Sequence, residues 1–211
     1  MKKYISFIIL GALVFAAIIQ LGIAGNEPTI IQKQIDDIGP GLSADATYSY
    51  NWISVGSYSR FDLFVDEPYL LTNEPAILDF FNKFVPRFDL LESTTGWSAE
   101  KFYGTKLKIY LYEGTGCYGG RGDPADMELS FSNPLYKEGC LQWGESEDLG
   151  NTWRYMSIAM HEVTHSICPP EIYNRVWLSE GWAVYNEYNV LVQYGDLNQT
   201  YADSYILSGN S

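Results

Sequence analysis

The sequence predicts an α+β fold in which a small sheet packs on two consecutive helices. Apolar and polar residues alternate in the middle of the chain, as they do in half-buried strands, whereas apolar residues recur at helical spacing in its last third. About 187 residues follow an apolar N-terminal run, which is enough for one domain with a sizeable core. We therefore expect one globular domain over residues 47–211.

Residues 1–24 have the pattern of a secretory signal peptide. Two lysines precede an apolar run over residues 4–23, and small residues at its end offer a cleavage site. The run is also nearly long enough to cross a bilayer, so a retained N-terminal membrane anchor is the alternative. In both cases we expect the rest of the chain to be secreted or held outside the cytoplasm. Residues 25–46, which are rich in turn-forming residues, are predicted to be a linker.

Strand and helix patterns alternate between residues 59 and 132. A phenylalanine-rich stretch with helical spacing predicts an amphipathic helix over residues 76–91, interrupted by Pro86. A glycine-rich turn over residues 114–122 follows the second strand. The predicted strands are residues 59–66, 106–112 and 127–132.

The next predicted helix carries both histidines of the chain. Asn151 or Thr152 can cap its start, and Pro169-Pro170 ends it. Its apolar residues lie at helical spacing and predict ordinary core packing: Met156, Ala159, Met160, Val163 and Ile167. After a short connection, a second helix is predicted from Ser179, as the N-cap, to about Tyr194.

The two histidines bracket a glutamate in the run His161-Glu162-Val163-Thr164-His165. Residues four apart on a helix leave the same face, so both imidazoles can reach one metal ion. Glu162 follows the first imidazole and can deprotonate a metal-bound water, which is the HExxH arrangement of zinc proteases. A chance match is the alternative, but an accidental motif that uses both histidines of a short chain is rare.

Glu180 is the best third ligand. A catalytic zinc takes three protein ligands and leaves one position open for water, and two histidines with one glutamate form a standard set. At the first turn of the predicted helix, the helix dipole would favour the charged carboxylate. The alternative is a solvated glutamate that only complements the dipole. A purely structural zinc site is disfavoured, because three ligands leave an open coordination position.

The segment Trp177-Leu178-Ser179-Glu180-Gly181-Trp182-Ala183, placed after the HExxH run, resembles the second motif of the gluzincin metallopeptidases. The resemblance is to their aminopeptidase-like branch and to small peptidase-MA-like domains. It implies a thermolysin-like zincin catalytic domain, with Zn²⁺ held by His161, His165 and Glu180 and with Glu162 as general base and proton shuttle. Glu187 matches a glutamate that the family often carries seven residues after the third ligand, from where it could hydrogen-bond a ligand. Otherwise it is a solvent-facing charge.

The sequence also departs from the family. The spacing between the two motifs is shorter than in the large aminopeptidases, and few residues follow Glu180, so the C-terminal helical part is expected to be shortened. In zinc peptidases of this class a strand beside the zinc helix pairs with the extended substrate, and residues 127–132 are the candidate. Glu128 matches the Met-Glu of an aminopeptidase motif that holds the substrate's terminal amine; an ordinary strand residue is the alternative.

Charge and cysteine content narrow the partners and the compartment. With 26 acidic against 13 basic residues, nucleic acid is a poor partner and anionic membrane surfaces are disfavoured. Three cysteines fit an oxidising compartment with one disulfide, for which Cys117 and Cys140 are the candidates. Cys168, at the end of the zinc helix, is expected to be buried with a free thiol.

These observations favour an exported zinc metallopeptidase that acts on a peptide or protein. An additional oxyanion donor is expected, and with no third histidine it must be a tyrosine; Tyr201 and Tyr205 lie downstream, where such residues often occur. The alternative is a catalytically inactive zincin-fold domain that only binds peptides or proteins, although an intact Glu162 argues against it. The sequence leaves the substrate, the oligomeric state and the choice between endopeptidase and aminopeptidase open.

Overall fold

A computed structural model describes residues 34–35, 48–114, 120–135 and 153–207, all within one compact unit. The predicted signal segment and most of the predicted linker lie outside this part of the chain. So do the candidate disulfide cysteines and the two candidate helix caps, Asn151 and Thr152. Within the described ranges, no helix is both long enough and apolar enough to cross a membrane.

The fold is α+β, as the sequence predicts, and its centre is a small mixed sheet. Strands β3 to β7 form a five-stranded sheet in the order β3-β4-β5-β7-β6. Strands β1 and β2 form a separate two-stranded sheet. The β4–β5 and β5–β7 pairs are parallel, whereas β3–β4 and β6–β7 are antiparallel, and β6 lies at one edge of the sheet that the described residues form. The strands are β1 (Gln34–Ile35), β2 (Tyr48–Ser49), β3 (Trp52–Ser57), β4 (Phe61–Asp66), β5 (Leu107–Glu113), β6 (Gly120–Asp123) and β7 (Asp126–Phe131).

Helix α1 (Glu67–Thr95) connects β4 to β5 together with the short helix α2 (Ala99–Tyr103). The prediction that Pro86 interrupts this helix is wrong, because α1 continues through both Pro75 and Pro86. A proline removes one helical hydrogen bond, but helices in proteins are stabilised mainly by packing of an apolar face. That face is provided here by four fully buried phenylalanines: Phe80, Phe81, Phe84 and Phe88.

One face of the sheet packs on the helices and forms the main core. The predicted alternation is confirmed in β5, where Leu107, Ile109 and Leu111 are fully buried in that core. Met127 and Leu129 of β7 belong to the same cluster. The opposite face carries a smaller aromatic cluster around Trp52 of β3 and Tyr110 of β5, packed against three further rings: Tyr50, Phe64 and Tyr112.

Two long helices follow the sheet and carry the sequence motifs. They are α3 (Trp153–Ile167) and α5 (Val176–Tyr194), joined through the short helix α4 (Pro170–Tyr173) and followed by α6 (Gln199–Leu207). The predicted apolar stripe of α3 is confirmed, because all five of its residues are fully buried. The predicted N-cap of α5 is wrong: the helix begins at Val176 with Arg175 as the cap, so Ser179 lies inside it.

A buried ion pair ties α1 to the end of α5. The guanidinium of Arg87 donates two hydrogen bonds of 2.6 Å to the two carboxylate oxygens of Asp196, just beyond the C-cap Gly195. The two side chains are 1% and 0% exposed. Arg87 also donates to the Lys83 carbonyl at 2.7 Å and stacks over the ring of Tyr194. The pair therefore fixes the helix that carries Glu180 against the main core.

Candidate metal centre

Helix α3 presents two opposite faces, one to the core and one to a surface cleft. The apolar stripe faces the core, whereas the face towards the cleft carries His161, Glu162 and His165. The cleft has a volume of about 410 Å³, and its wall on the side of the sheet is the edge strand β6, through Gly122. Residues of α4 and α5 form the remaining wall, including Glu180. The four residues that the sequence predicts for chemistry therefore share one cleft.

Three side chains in the cleft offer nitrogen or oxygen atoms at mutual distances that suit a metal ion. The Nε2 atoms of His161 and His165 are 3.2 Å apart. Glu180 places Oε2 at 3.3 Å from the first Nε2 and Oε1 at 3.4 Å from the second. Tetrahedral zinc with bonds of 2.0–2.1 Å requires ligand atoms about 3.3 Å apart. The two imidazole nitrogens have this spacing, and each Glu180 oxygen has it to one of them, with one ligand atom from each residue within 4.8 Å of the others. The donor set and its spacing therefore fit a Zn²⁺ site.

Glu180 reaches the cleft from α5, one turn further into the helix than the sequence predicts. Because the helix begins at Val176, the carboxylate is not in the first turn, and the dipole argument for it loses its force. The hydrogen bond with His161 instead lowers the pKa of Glu180, against a smaller opposing effect of burial. Its side chain is 55% exposed, which leaves the open side of the triangle accessible from the cleft.

Each histidine has a second partner on its other ring nitrogen. His161 Nδ1 lies 3.2 Å from Glu187 Oε2, and the other oxygen of this buried carboxylate accepts a hydrogen bond from Ser157. His165 Nδ1 lies 2.7 Å from the hydroxyl of Ser179. Such contacts fix the orientation of a metal-binding imidazole. Sequence reasoning placed Glu187 in this position but missed Ser179, which it assigned to a helix cap.

The electrostatics of the cluster favour a cation. Burial lowers the pKa of His161, but hydrogen bonds to Glu180 and Glu187 outweigh this and raise it to about 10. Burial raises the pKa of Glu162 and the negative charges of Glu180 and Glu187 add to it, against the opposing charge of His161, so that it reaches about 7. Burial and the neighbouring His161 lower the pKa of His165. Three carboxyl groups surround the imidazoles, and a divalent cation would offset most of their negative charge.

Glu162 is held against the edge strand. The backbone N–H of Gly122 donates a hydrogen bond to its carboxylate. This approach is close: a Cβ at position 122 would lie 2.4 Å from the Glu162 carbonyl oxygen and 2.7 Å from His165 Cβ. A side chain at this position would overlap those atoms, so only glycine lets the backbones of the strand and the helix approach so closely. The sequence signal was the glycine-rich run before Asp123, interpreted as a turn.

The strand predicted to pair with substrate is the wrong one. Strand β7, which contains most of residues 127–132, is paired with β5 on one side and with β6 on the other, so it has no free edge. Glu128 also projects from the sheet opposite Met127 and Leu129, towards Tyr110 rather than towards α3. The edge beside the cleft belongs to β6. Alternation along β7 was visible in the sequence, but its position within the sheet was not.

Among the described residues, Tyr173 lines the cleft and the candidate Tyr201 does not. Tyr173 belongs to α4, and its hydroxyl donates to Asp123 Oδ1 at 2.9 Å, at the end of β6. Tyr201 lies on α6 and is not among the residues lining this cleft, and the side chain of Tyr205 lies outside the described residues. Cys168 is buried with a free thiol, as expected.

No family model matches the chain, and no curated protein matches its sequence. Among solved structures, native yeast LTA4 hydrolase is similar over 85% of this chain and 28% of its own, with 16% identity and a TM-score of 0.43. Yeast LTA4 hydrolase in complex with Bestatin is similar over 80% and 26%, with 16% identity and a TM-score of 0.41. The chain thus spans little more than a quarter of the structures that it resembles.

Proposed function

We propose that this chain is a zinc-dependent metallopeptidase of the gluzincin type, with a thermolysin-like catalytic domain. The observation that carries the proposal is the cluster of His161, His165 and Glu180, whose ligand atoms lie within 4.8 Å of one another, with Glu162 in the same cleft. Three protein ligands leave a fourth position open, which is the arrangement of catalytic rather than structural zinc.

The residues of the chain divide the chemistry between them. When bound, Zn²⁺ supplies Lewis acidity, which acidifies a water molecule and polarises a substrate carbonyl. Glu162 accepts the proton of the attacking water at its carboxylate and delivers it to the nitrogen of the leaving amine. The Gly122 N–H holds that carboxylate in place.

We place the substrate backbone along β6. An extended peptide can add to the free edge of an antiparallel pair, where main-chain hydrogen bonds give affinity. Gly122 brings this edge to the cleft next to Glu162, so a peptide paired with β6 would present its carbonyl groups to the metal position. The substrate is accordingly a peptide or an extended protein segment, and nucleic acid is not proposed as a partner.

Export is part of the proposal and is supported by the sequence of residues 1–24. Its test is the N-terminal sequence of the protein recovered outside the cytoplasm. A mature chain that begins after residue 24 supports a cleaved signal, and an intact N-terminus in the membrane fraction supports an anchor. Full-length protein in the cytoplasm contradicts both.

The deciding experiment for hydrolysis is Glu162→Gln, which keeps the size and removes the base. Zinc content should stay near one per chain, while cleavage of a peptide library should fall by about a hundredfold or more. Glu74→Gln, which changes an exposed glutamate of α1, is the matched control and should cleave like the parent. A parent that binds zinc and cleaves nothing contradicts the peptidase proposal and leaves a peptide-binding domain.

A further inference from the structure

The two histidines of the metal centre have different partners behind them. His161 faces the carboxylate of Glu187, whereas His165 Nδ1 faces a neutral hydroxyl, that of Ser179, at 2.7 Å. Ser179 is buried, and its hydroxyl also forms a hydrogen bond with the thiol of Cys168. The thiol in turn donates to the backbone carbonyl of His165 at 3.3 Å. Ser179 and Cys168 therefore form a closed ring of contacts with His165.

One direction of donation gives every hydrogen in the ring an acceptor, and the Cys168 sulfur also accepts from the backbone N–H of Tyr173. If Nε2 is left free for a metal, Nδ1 carries the proton and donates it to the Ser179 oxygen. The Ser179 hydroxyl hydrogen is then available for the Cys168 sulfur, and the thiol hydrogen points to the His165 carbonyl. The reverse tautomer would place a hydrogen on Nε2, at the metal position, and would turn the serine hydroxyl from the thiol back to Nδ1.

We propose that Ser179 and Cys168 are positioning residues that hold His165 in the tautomer with Nε2 free for metal. The proposal rests on the metal site proposed above but not on hydrolysis. It also explains why a hydroxyl is used here. Three carboxylates, Glu162, Glu180 and Glu187, already surround the two imidazoles, and a fourth negative group behind His165 would be buried without a further cation.

The first test is the zinc dissociation constant, measured by competition with a chelator on the otherwise intact chain. Ser179→Ala should weaken zinc binding by about tenfold or more, the effect expected when a ligand loses its hydrogen-bond partner. Cys168→Ala should cause a smaller loss, and Cys168→Ser, which keeps a donor and an acceptor, should restore most of it. Ser179→Ala that binds zinc as tightly as the parent overturns the proposal.

Ser166→Ala is the matched control. Ser166 is a buried serine next to His165, but its hydroxyl bonds only to the backbone carbonyls of Asp126 and Glu162. Its removal should cost comparable stability and leave zinc affinity within about twofold of the parent. If Ser166→Ala and Ser179→Ala weaken zinc equally, the effect is general loosening of the helix, and the positioning role is refuted.

The second test reads the tautomer directly and requires neither zinc nor activity. The chain has two histidines, so nitrogen-15 NMR of the imidazoles shows two spin systems that substitution of one histidine can assign. In the zinc-free parent, neutral His165 should carry its proton on Nδ1, and Ser179→Ala should shift the population towards Nε2. An Nε2 proton in the parent, unchanged in Ser179→Ala, contradicts the proposal even if hydrolysis is absent or intact.

Discussion

Substitution of Asp196 by asparagine should destabilise the whole domain, because it removes a buried carboxylate that is paired with a buried guanidinium. Asparagine keeps the shape of the side chain but replaces one accepting oxygen by a donor that faces the Arg87 nitrogens. The pair is excluded from water, at 1% and 0% exposure, so solvent cannot replace the lost charge. The Lys83 carbonyl and the Tyr194 ring, which also contact Arg87, carry no formal charge.

The expected loss is about 3–5 kcal/mol, the usual effect of removing one partner of a buried ion pair. For a domain of this size, about 1 kcal/mol corresponds to about 2–4 °C in melting temperature, so Tm should fall by about 6–20 °C. Urea unfolding and calorimetry measure the two quantities. Asp79→Asn removes the same charge from an exposed i,i+4 pair with Lys83 and should cost less than about 0.5 kcal/mol.

A double substitution distinguishes the effect of removing one charge of the pair from the effect of lost packing. Arg87→Met combined with Asp196→Leu removes both charges and keeps apolar volume, and it should recover most of the stability lost in Asp196→Asn. The reasoning is refuted if Asp196→Asn costs no more than Asp79→Asn. It is also refuted if the double variant is less stable than the single one, since the pair would then contribute a net attraction larger than the cost of burying it.

Three further predictions concern the cleft and the cysteines. Gly122→Ala should separate β6 from α3 and lower both stability and peptide cleavage. In Gly181→Ala, the control on an exposed part of α5, the added methyl group meets nothing within 4 Å and should stabilise the helix by about 0.5–1 kcal/mol. Equal effects of the two substitutions on thermal unfolding would contradict the close approach at Gly122. Glu187→Ala should weaken zinc binding by about 10–100-fold in a chelator competition, because the imidazole it faces loses its partner; unchanged affinity would make it a mere buried charge. Peptide mapping without reduction should find Cys117 linked to Cys140. This disulfide would close a loop of about 23 residues, and its reduction should lower the free energy of unfolding by about 3 kcal/mol. Three free thiols in protein from its native compartment would contradict the bridge.

The candidate metal ligands could be predicted because their arrangement is local. His161 and His165 are one turn apart on one helix, and Glu180 and Glu187 are two turns apart on another, so helix geometry alone sets each pair. The partners that depend on packing between elements could not be predicted in the same way. The contact of Ser179 with His165 follows from how α5 lies against α3, and α5 begins four residues earlier than the capping rule predicts.

Three of the five strands of the sheet were predicted, whereas β3, β6 and the order of the strands were not. Alternation identified β4, β5 and β7, with small differences at their ends. β6 was interpreted as part of a turn because Gly120 and Gly122 carry no side chains from which a pattern could be recognised. β6 can lie against α3 because Gly122 has no side chain. The feature that hid the strand from pattern analysis is thus the one that brings it to the cleft.

The metal centre is assembled from a part of the chain that is nearly contiguous, and this has a consequence for the order of folding. Helices α3 and α5 are joined by residues 168–175, so their contacts close short loops and cost little chain entropy. The parallel pairing of β4 with β5 requires a crossover through α1 and α2, and such non-local pairings form slowly. We expect the helical pair to associate first and to capture its ion while the strands are still unpaired. Strand β6, the proposed binding edge for the substrate, would then pack against metal ligands that are already in place. Under the proposed function, a chain could therefore bind zinc before it is able to cleave a peptide.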